Sequence, residues 1–275
     1  RRQVVTPGRV TMPIGGRLGG LRDSLTGRKP DVDGTPAIDG AVRVITVLGM
    51  HRSGTSSLAG SLEAAGLPLG EVRAEGGASN AKGHREPGEL ISLHEDVLIT
   101  SGGAWHMPPA KVAWTKRQRK RQREFIDSRA GMPLWGWKEP RTLLVIDGWL
   151  DVVPQLEMVG TFRHPAAVAR SLQRRHGSDT IEPWLQLWQV YNSALLRLAD
   201  ERRFPLIDFD LPAEAYQARL SGVVAELRLP GGGDDFFEAS LRTSQTQAPP
   251  DMQLPGYIES VYLRLREIAA AQAAP

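Results

Sequence analysis

The chain has 275 residues, of which 41% are hydrophobic, and a formal net charge of only +3. This size and apolar fraction allow a substantial core in one large domain or two small ones, while the low net charge argues against a protein that binds nucleic acid through a dense basic surface. No cysteine is present, which excludes disulfides, thiolate metal sites and a cysteine nucleophile and suits a cytoplasmic protein. No apolar run approaches the ~20 residues of a transmembrane helix.

Residues 1–40 differ in composition from the rest of the chain. They are rich in Gly, Pro, Arg and Asp, and they contain the loop-like stretches GGRLGG and RKPDVDGTP. No strand precedes GGRLGG, which argues against a nucleotide-binding loop there. We expect an extension or linker of open role over 1–40 and one domain over 41–275. Because the chain begins at Arg1 without a methionine, it is also consistent with one module of a longer product.

From residue 41 onward, apolar runs of strand length alternate with helical patterns. AVRVITVL is typical of a strand, and SSLAGSLEAAGLPLG has helical spacing that stops at Gly66 and Pro68. Pro87 opens a predicted helix whose inward side chains are Leu90, Leu93, Val97 and Leu98. Further strands are predicted at PLWGWK, QLEMVGTFRHP and FPLIDFD, and further helices at WTKRQRKRQREFIDSRA, TLLVIDGWLDVV, AAVARSLQRR and IEPWLQLWQVYNSALLRLADERR, with two or three more before Pro275.

This alternation predicts an α/β fold with a three-layer arrangement, in which a parallel sheet is covered by helices on both faces. In such folds, ligands bind at the carboxyl ends of the strands. Three polar loops, GMHRSGTSS, WKEPRT and FRHP, follow predicted strands directly. We therefore expect these loops to lie at one edge of the sheet.

The loop GMHRSGTSS has the spacing of a phosphate-binding loop. Gly49 and Gly54 are separated by four residues and are followed by Thr55 and Ser56, so backbone N–H groups would point at one anion. The lysine of nucleotide triphosphatases is missing from this pattern, and Arg52 supplies a cation from within the loop. No predicted strand ends in an aspartate clearly suited to hold magnesium; the nearest candidates are Asp208 and Asp210. Because both the lysine and a clear magnesium ligand are missing, hydrolysis of ATP is disfavoured.

The same loop resembles that of the sulfotransferases that use 3′-phosphoadenosine 5′-phosphosulfate (PAPS), in the form GMHRSGTS found in the bacterial branch. The resemblance implies a P-loop type of fold and a 5′-phosphosulfate site formed by Arg52, Ser53, Gly54, Thr55 and Ser56. The stretch FRHPAAVARS is a second match, which implies that Arg163 and Ser171 bind the 3′-phosphate. A strand-end guanidinium and a hydroxyl on the next helix can converge on one dianion.

The stretch WGWKEPRT resembles the Lys-Asp-Pro-Arg stretch of the family, with Glu139 in place of the usual aspartate. The resemblance implies that Lys138 stabilises the charge that develops on the bridging oxygen as sulfur departs. Arg141 either pairs with Glu139 or reaches the substrate, and the pairing is favoured. A purely structural set of buried salt bridges is the alternative for the whole group.

The stretch NAKGHREP resembles the segment in which relatives carry their catalytic base, and this places the base at Glu86. His84 is the second candidate, because imidazole titrates near neutrality. The alternative for Glu86 is an acid that only favours the start of the next helix. Sulfuryl transfer requires a base because the acceptor oxygen must lose its proton as it attacks.

Several other residues have weaker assignments. Arg242 resembles a late arginine that covers the nucleotide in related bacterial enzymes. Trp105 follows a Gly-Gly loop that could border the acceptor cleft, although most of the seven tryptophans are expected to pack in the core or at its rim. The basic run from Lys116 to Arg123 is most simply a solvated helical face, and a surface for an anionic acceptor or a membrane is the alternative. His51 has no second residue at metal-ligand spacing, so no metal site is predicted.

The resemblance implies transfer of a sulfuryl group from PAPS to a hydroxyl or amine without a metal, releasing 3′-phosphoadenosine 5′-phosphate. The acceptor stays open among small molecules, glycans, lipids, natural-product phenols and peptide tyrosines. Two other functions also stay open: a P-loop kinase of a small metabolite, and an inactive module that binds the nucleotide. The sequence leaves the oligomeric state open, a homodimer included.

Overall fold

The computed structural model describes residues 42–72, 83–232 and 252–273. Four strands, each followed by one to three helices, lie along these ranges. In chain order they are β1 (Arg43–Leu48), α1 (Thr55–Ala64), α2 (Gly88–Thr100), α3 (Lys116–Asp127), β2 (Leu134–Lys138), α4 (Thr142–Leu150), β3 (Glu157–Phe162), α5 (Pro165–His176), α6 (Glu182–Glu201), β4 (Leu206–Asp208), α7 (Ala213–Glu226) and α8 (Gly256–Ala273).

The four strands form one parallel sheet in the order β2-β1-β3-β4. The first strand is central: Val47 pairs with Lys138 of β2 on one side and with Val159 of β3 on the other. The last strand extends the sheet through pairs such as Phe162 with Asp208. The predicted α/β fold with a parallel sheet is confirmed.

Both faces of the sheet are buried, as expected when helices cover each side of parallel strands. Along β1, Val44 and Leu48 join the core on one face, while Ile45 and Val47 join the core on the other. Helices α1 and α7 pack on the second face, and α2, α4, α5, α6 and α8 contribute to the first. The sheet is therefore the middle of three layers.

Tryptophans fill much of the larger core. Trp135 and Trp137 of β2 are buried beside Trp149 of α4, and the rings of Trp137 and Trp149 lie 4.7 Å apart. Phe125 of α3 meets all three in edge-on contacts. The interpretation of most tryptophans as core residues is correct for these positions and for Trp188.

Basic side chains of α3 form ion pairs with a neighbouring helix at the protein surface. Thr115 and Gln118 form a capping box at its start. Arg117 and Arg121 both pair with Asp96 of α2, at 2.9 Å and 3.3 Å. These ion pairs fit the predicted solvated helical face.

Two expectations fall on residues that the structure does not describe: the extension over 1–40 and the nucleotide contact of Arg242. Within 42–72, 83–232 and 252–273, no helix combines the length and the apolar character that a bilayer crossing requires.

Candidate active site

Three polar loops meet at the carboxyl edge of the sheet. The loop 49–54 follows β1, the loop 139–141 follows β2, and Arg163 and His164 follow β3. Because the strands are parallel neighbours, these loops lie side by side. The expected convergence of the three loops is confirmed.

The loop after β1 is held against the neighbouring strand ends. Gly54 has a φ of +84°, and an added Cβ there would lie 2.1 Å from a ring carbon of Phe209, which follows β4. The carbonyl of Ser53 accepts a hydrogen bond of 3.0 Å from the Thr161 hydroxyl of β3. Arg52 has a φ of +69°, which a non-glycine residue rarely adopts. The loop is therefore fixed in a conformation that strains its arginine.

Arg52 contacts the helix that follows the third strand. Its Nε donates a hydrogen bond of 2.9 Å to the hydroxyl of Ser171 on α5. Burial lowers the pKa of Arg52, and repulsion from Arg175, Arg163 and Arg174 lowers it further. Arg52 thus feels the repulsion of three other guanidinium groups. This repulsion costs free energy and is suited to a ligand with several negative charges.

Arg163 is anchored at the end of β3. Its Nε donates to Asp210 at 2.9 Å, and the second oxygen of Asp210 accepts from the backbone N–H of His164 at 2.8 Å. The carbonyl of Arg163 accepts from the indole of Trp188. Asp210 was one of the two aspartates considered from the sequence as magnesium ligands. In the structure its carboxylate binds Arg163 and the backbone at the start of α5.

Lys138, at the end of β2, contacts both the candidate base Glu86 and the first turn of α1. Its Nζ donates to Glu86 at 2.7 Å and to the hydroxyl of Ser56 at 3.2 Å. Ser56 in turn donates to the carbonyl of His84. The Lys138 side chain is 1% exposed and that of Glu86 is 13% exposed. The structure therefore brings together residues from three separate predicted motifs.

Burial lowers the pKa of Lys138, while the negative charge and hydrogen bond of Glu86 oppose that shift. The bond of Glu86 goes to Lys138, and no side chain caps the start of α2, where Pro87 is the N-cap. Glu86 thus has a specific ionic partner, which a residue that only favours a helix start would not need.

His84 lies beside the same group. Burial lowers its pKa; the charge of Glu86 opposes this, and the charges of Lys138, Arg175 and Arg52 add to it. The imidazole is therefore held neutral near pH 7 and able to accept a proton. Both candidate bases lie in one electrostatic environment.

Glu139, the residue after Lys138, belongs to a buried network of hydrogen bonds and ion pairs. Glu139 binds the Nδ1 of His94 through one oxygen, at 2.6 Å, and the guanidinium of Arg141 through the other. The Nε2 of His94 accepts from the indole of Trp149 at 2.9 Å, and Arg141 also pairs with Glu95. The predicted pair of Glu139 and Arg141 is confirmed.

His94 was missed by the sequence analysis, although a signal for it exists. It stands four residues after Leu90 and three before Val97, on the buried face of α2. A histidine on an apolar helical face requires a polar partner inside the protein. Its partner, Glu139, is 45 positions away in the chain.

Aromatic rings border the loop beside Arg52. The ring of His51 lies 4.7 Å from that of Trp105 and 5.8 Å from that of Tyr191. Burial, followed by the charge of Arg141, lowers the pKa of His51 to about 3. Trp105 is partly exposed, and its carbonyl accepts a hydrogen bond from Tyr191. Trp105 therefore lies beside the loop that follows β1, and its place at an acceptor cleft stays a prediction.

No cluster of three or more potential metal ligands occurs among the described residues. The side-chain hydroxyl of Ser53, in the loop after β1, is buried and has no hydrogen-bond partner among the described residues. An unsatisfied buried hydroxyl next to Arg52 in the same loop fits an anionic ligand.

Comparison with known proteins gives similarity at the level of structure. Neither a protein-family model nor a curated protein sequence matches the chain. The sulfotransferase domain from the Synechococcus PCC 7002 olefin synthase is similar, with a TM-score of 0.42 and 16% identity over 88% of this chain and 99% of that domain. Sulfotransferase STF1 from Mycobacterium tuberculosis H37Rv has a TM-score of 0.37 and 16% identity over 82% of this chain and 77% of that one. Both neighbours are sulfotransferases. This likeness concerns the fold and gives no role to any residue.

Proposed function

We propose that this protein is a sulfotransferase that moves a sulfuryl group from PAPS to a hydroxyl or amine of a carbohydrate, lipid or natural-product acceptor. The observation that carries the proposal is the contact of Arg52 with Ser171. It joins the loop proposed for the 5′-phosphosulfate to the helix proposed for the 3′-phosphate. One adenosine donor with an anionic group at each end can therefore span the two.

The electrostatics support a donor of this charge. Burial and three neighbouring arginines disfavour the charge of Arg52 when no anion is present. An anion that compensates these charges would remove the repulsion and gain charge-assisted hydrogen bonds. Ser53 offers a hydroxyl in the same loop and Ser56 one in the first turn of α1, a turn that has no acidic residue. A helix start of this kind favours negative charge.

The contact of Lys138 with Glu86 supports an in-line displacement. Glu86 takes the proton of the acceptor as the acceptor oxygen forms its bond to sulfur. The bond from sulfur to the bridging phosphate oxygen breaks on the opposite side, and its electron pair leaves with the phosphate. Arg52 and Lys138 stabilise the charge on that oxygen. Positioning and electrostatics supply most of the acceleration in this kind of transfer.

Protonation of Glu86 would also change the partner of Lys138. A carboxylate holds the ammonium at 2.7 Å before the transfer. Once the carboxyl is neutral, its attraction for Lys138 falls, and the ammonium is released toward the leaving oxygen. Proton uptake and leaving-group stabilisation are coupled through this one contact.

Nucleotide preference tests the proposal against the kinase. We expect 3′-phosphoadenosine 5′-phosphate to raise the unfolding temperature of the protein more than ATP with Mg²⁺ does. A ligand at a hundredfold excess over its Kd stabilises by about 2.7 kcal/mol. Greater stabilisation by ATP with Mg²⁺ would favour a P-loop kinase and contradict the proposal.

Transfer itself separates an enzyme from an inactive nucleotide-binding module. The protein is incubated with ³⁵S-labelled PAPS and cell extracts, and products are examined by mass spectrometry for the gain of one sulfuryl group. The matched control is Glu86→Gln, which keeps the shape of the side chain and removes the base. Binding of the bisphosphate nucleotide with no labelled product from any extract would indicate the inactive module.

A further inference from the structure

We propose that Glu139 is a positioning residue that keeps Lys138 positively charged while Glu86 takes up the proton of the acceptor. The inference rests on the proposed function of Lys138 and Glu86. It assigns a role in that reaction to the buried network of Glu139, His94, Arg141 and Trp149.

The need for a second negative charge follows from the burial of Lys138. Its side chain is 1% exposed, and Glu86 is the carboxylate that hydrogen-bonds to it. When Glu86 becomes neutral, that charge pair ends in the middle of the reaction. Until charge has built up on the leaving oxygen, a buried ammonium with no other negative neighbour tends to lose its proton. A neutral Lys138 could not stabilise the charge on the leaving oxygen.

The surroundings of Glu139 favour its ionised carboxylate at every stage of the transfer. It is 0% exposed, and each of its carboxylate oxygens faces a donor. The indole of Trp149 can only donate, so the Nε2 of His94 must accept, and the ring proton lies on Nδ1, facing Glu139. Although burial alone would raise the pKa of Glu139, the contacts with His94 and Arg141 lower it to about 2.

Glu139 directly follows Lys138 at the end of β2, so its charge acts on Lys138 from the neighbouring backbone position. It favours the ammonium form of Lys138, and the charge of Arg141 opposes it. Arg141 is itself shared between Glu139 and Glu95, to which it donates at 2.9 Å. Two carboxylates with one guanidinium leave the network with a single net negative charge.

The other titratable groups near Lys138 do not supply this charge. His51 and His84 both interact with Lys138 electrostatically, and burial lowers the pKa of each. Both rings are therefore neutral near pH 7. Among the described residues, Glu139 is the carboxylate besides Glu86 whose charge favours the ammonium of Lys138, and the transfer does not consume that charge.

The test measures the titration of Lys138 directly by NMR of protein labelled with ¹³C-lysine. The chain has six lysines, so the Lys138 signal can be assigned by its loss in Lys138→Arg. Glu86→Gln imitates the protonated carboxyl. We expect the Lys138 midpoint in Glu86→Gln/Glu139→Gln to lie at least about one pH unit below that in Glu86→Gln alone. Equal midpoints in the two proteins would overturn the proposal.

Two further variants keep the test decisive if Glu139→Gln disturbs the fold. In the Glu86→Gln background, Arg141→Gln removes the opposing cation while leaving Glu139 in place, so the midpoint should rise. A fall or no change would contradict the proposal. Glu124→Gln, at a side chain that is 60% exposed and outside this network, is the matched control and should leave the midpoint unchanged.

A kinetic measurement separates this role from simple support of the fold. In Glu139→Gln the alkaline limb of the kcat profile should move to lower pH, while the Kd for the bisphosphate nucleotide stays within about threefold. A structural defect would instead lower kcat evenly at all pH values. The NMR test needs neither donor nor acceptor. Failure to find any transfer would therefore reject the proposed function and leave the titration result standing, and equal midpoints in an active enzyme would reject this inference alone.

Discussion

Arg52 and Ser171 are joined by a hydrogen bond of 2.9 Å although 119 positions separate them in the chain. The bond connects the loop after β1 to the second turn of α5, across the boundary between two adjacent strand ends. An arginine that bends toward a helical hydroxyl, with other arginines around it, marks the region where anion binding should be strongest.

The first prediction concerns this contact. We expect Arg52→Ala to weaken binding of 3′-phosphoadenosine 5′-phosphate roughly 10- to 100-fold, because a hydrogen bond to a charged group contributes about 1.5–3 kcal/mol. Ser171→Ala should weaken binding less, because it removes a neutral group. Isothermal titration calorimetry measures both.

The matched control for Arg52→Ala is Arg197→Gln. Arg197 pairs with Asp147 and Glu201 on the outer surface of α6, so its loss should leave nucleotide affinity unchanged. Equal affinities of wild type and Arg52→Ala would remove the loop from the proposed donor site.

The fold was predictable because its signals are local. Apolar strands such as AVRVITVL and helix stops such as Gly66 lie within a few residues of the elements they define. A parallel sheet then follows from the alternation of elements, since parallel neighbours need a crossover between them. The strand order β2-β1-β3-β4 was not predicted, because it depends on packing between elements far apart in sequence.

The residues of the candidate site stand out in the sequence, but the partners that they have in the structure do not. Lys138 and Glu86 each stood in a motif, and the bond between them spans 52 positions. The prediction that Ser171 and Arg163 together bind the 3′-phosphate stays a prediction, and their protein partners, Arg52 and Asp210, were not foreseen. Side-chain pairing depends on where loops meet in three dimensions, which a single sequence does not specify.

The second prediction concerns Gly54. Substitution by alanine should strain a φ of +84° and also drive a Cβ into Phe209. Strain costs about 1–2 kcal/mol, and a steric clash adds roughly 1–3 kcal/mol. We expect Gly54→Ala to lower the unfolding temperature, measured by calorimetry, and to weaken nucleotide binding because the loop must move.

Gly102 provides the matched control for this substitution. Its φ is +85°, nearly the same, and nothing lies within 4 Å of an added Cβ. Gly102→Ala should therefore show the strain without the clash and leave nucleotide binding intact. If the two variants lost equal stability, Phe209 would not constrain the loop.

The third prediction separates the two candidate bases. Glu86→Gln should lower kcat about 10²- to 10⁴-fold, the usual contribution of general base catalysis, because Gln cannot accept the proton. His84→Gln should lower it much less. Rates are measured at saturating donor with an acceptor found in the extracts, and a larger loss in His84→Gln would transfer the role of base to the histidine.

The fourth prediction concerns stability in acid. Contacts with His94 and Arg141 lower the pKa of folded Glu139 from 4.5 to about 2, against the effect of burial. A depressed carboxyl pKa contributes stability that is complete above the unfolded value and is lost as pH falls toward the folded value. The stability advantage of wild type over Glu139→Gln should therefore be constant from pH 7 to about 4.5 and shrink progressively between pH 4.5 and 2.

Urea unfolding at a series of pH values measures that advantage as a difference in the free energy of unfolding. Glu124→Gln is the matched control, because Glu124 is 60% exposed and only 3.7 Å from Lys120, and exposed pairs of this kind contribute little. An advantage over Glu139→Gln that stayed constant down to pH 2 would mean that folded Glu139 keeps an ordinary acidity. The contacts with His94 and Arg141 would then not hold its charge, and Glu139 could not serve as the lasting negative neighbour of Lys138.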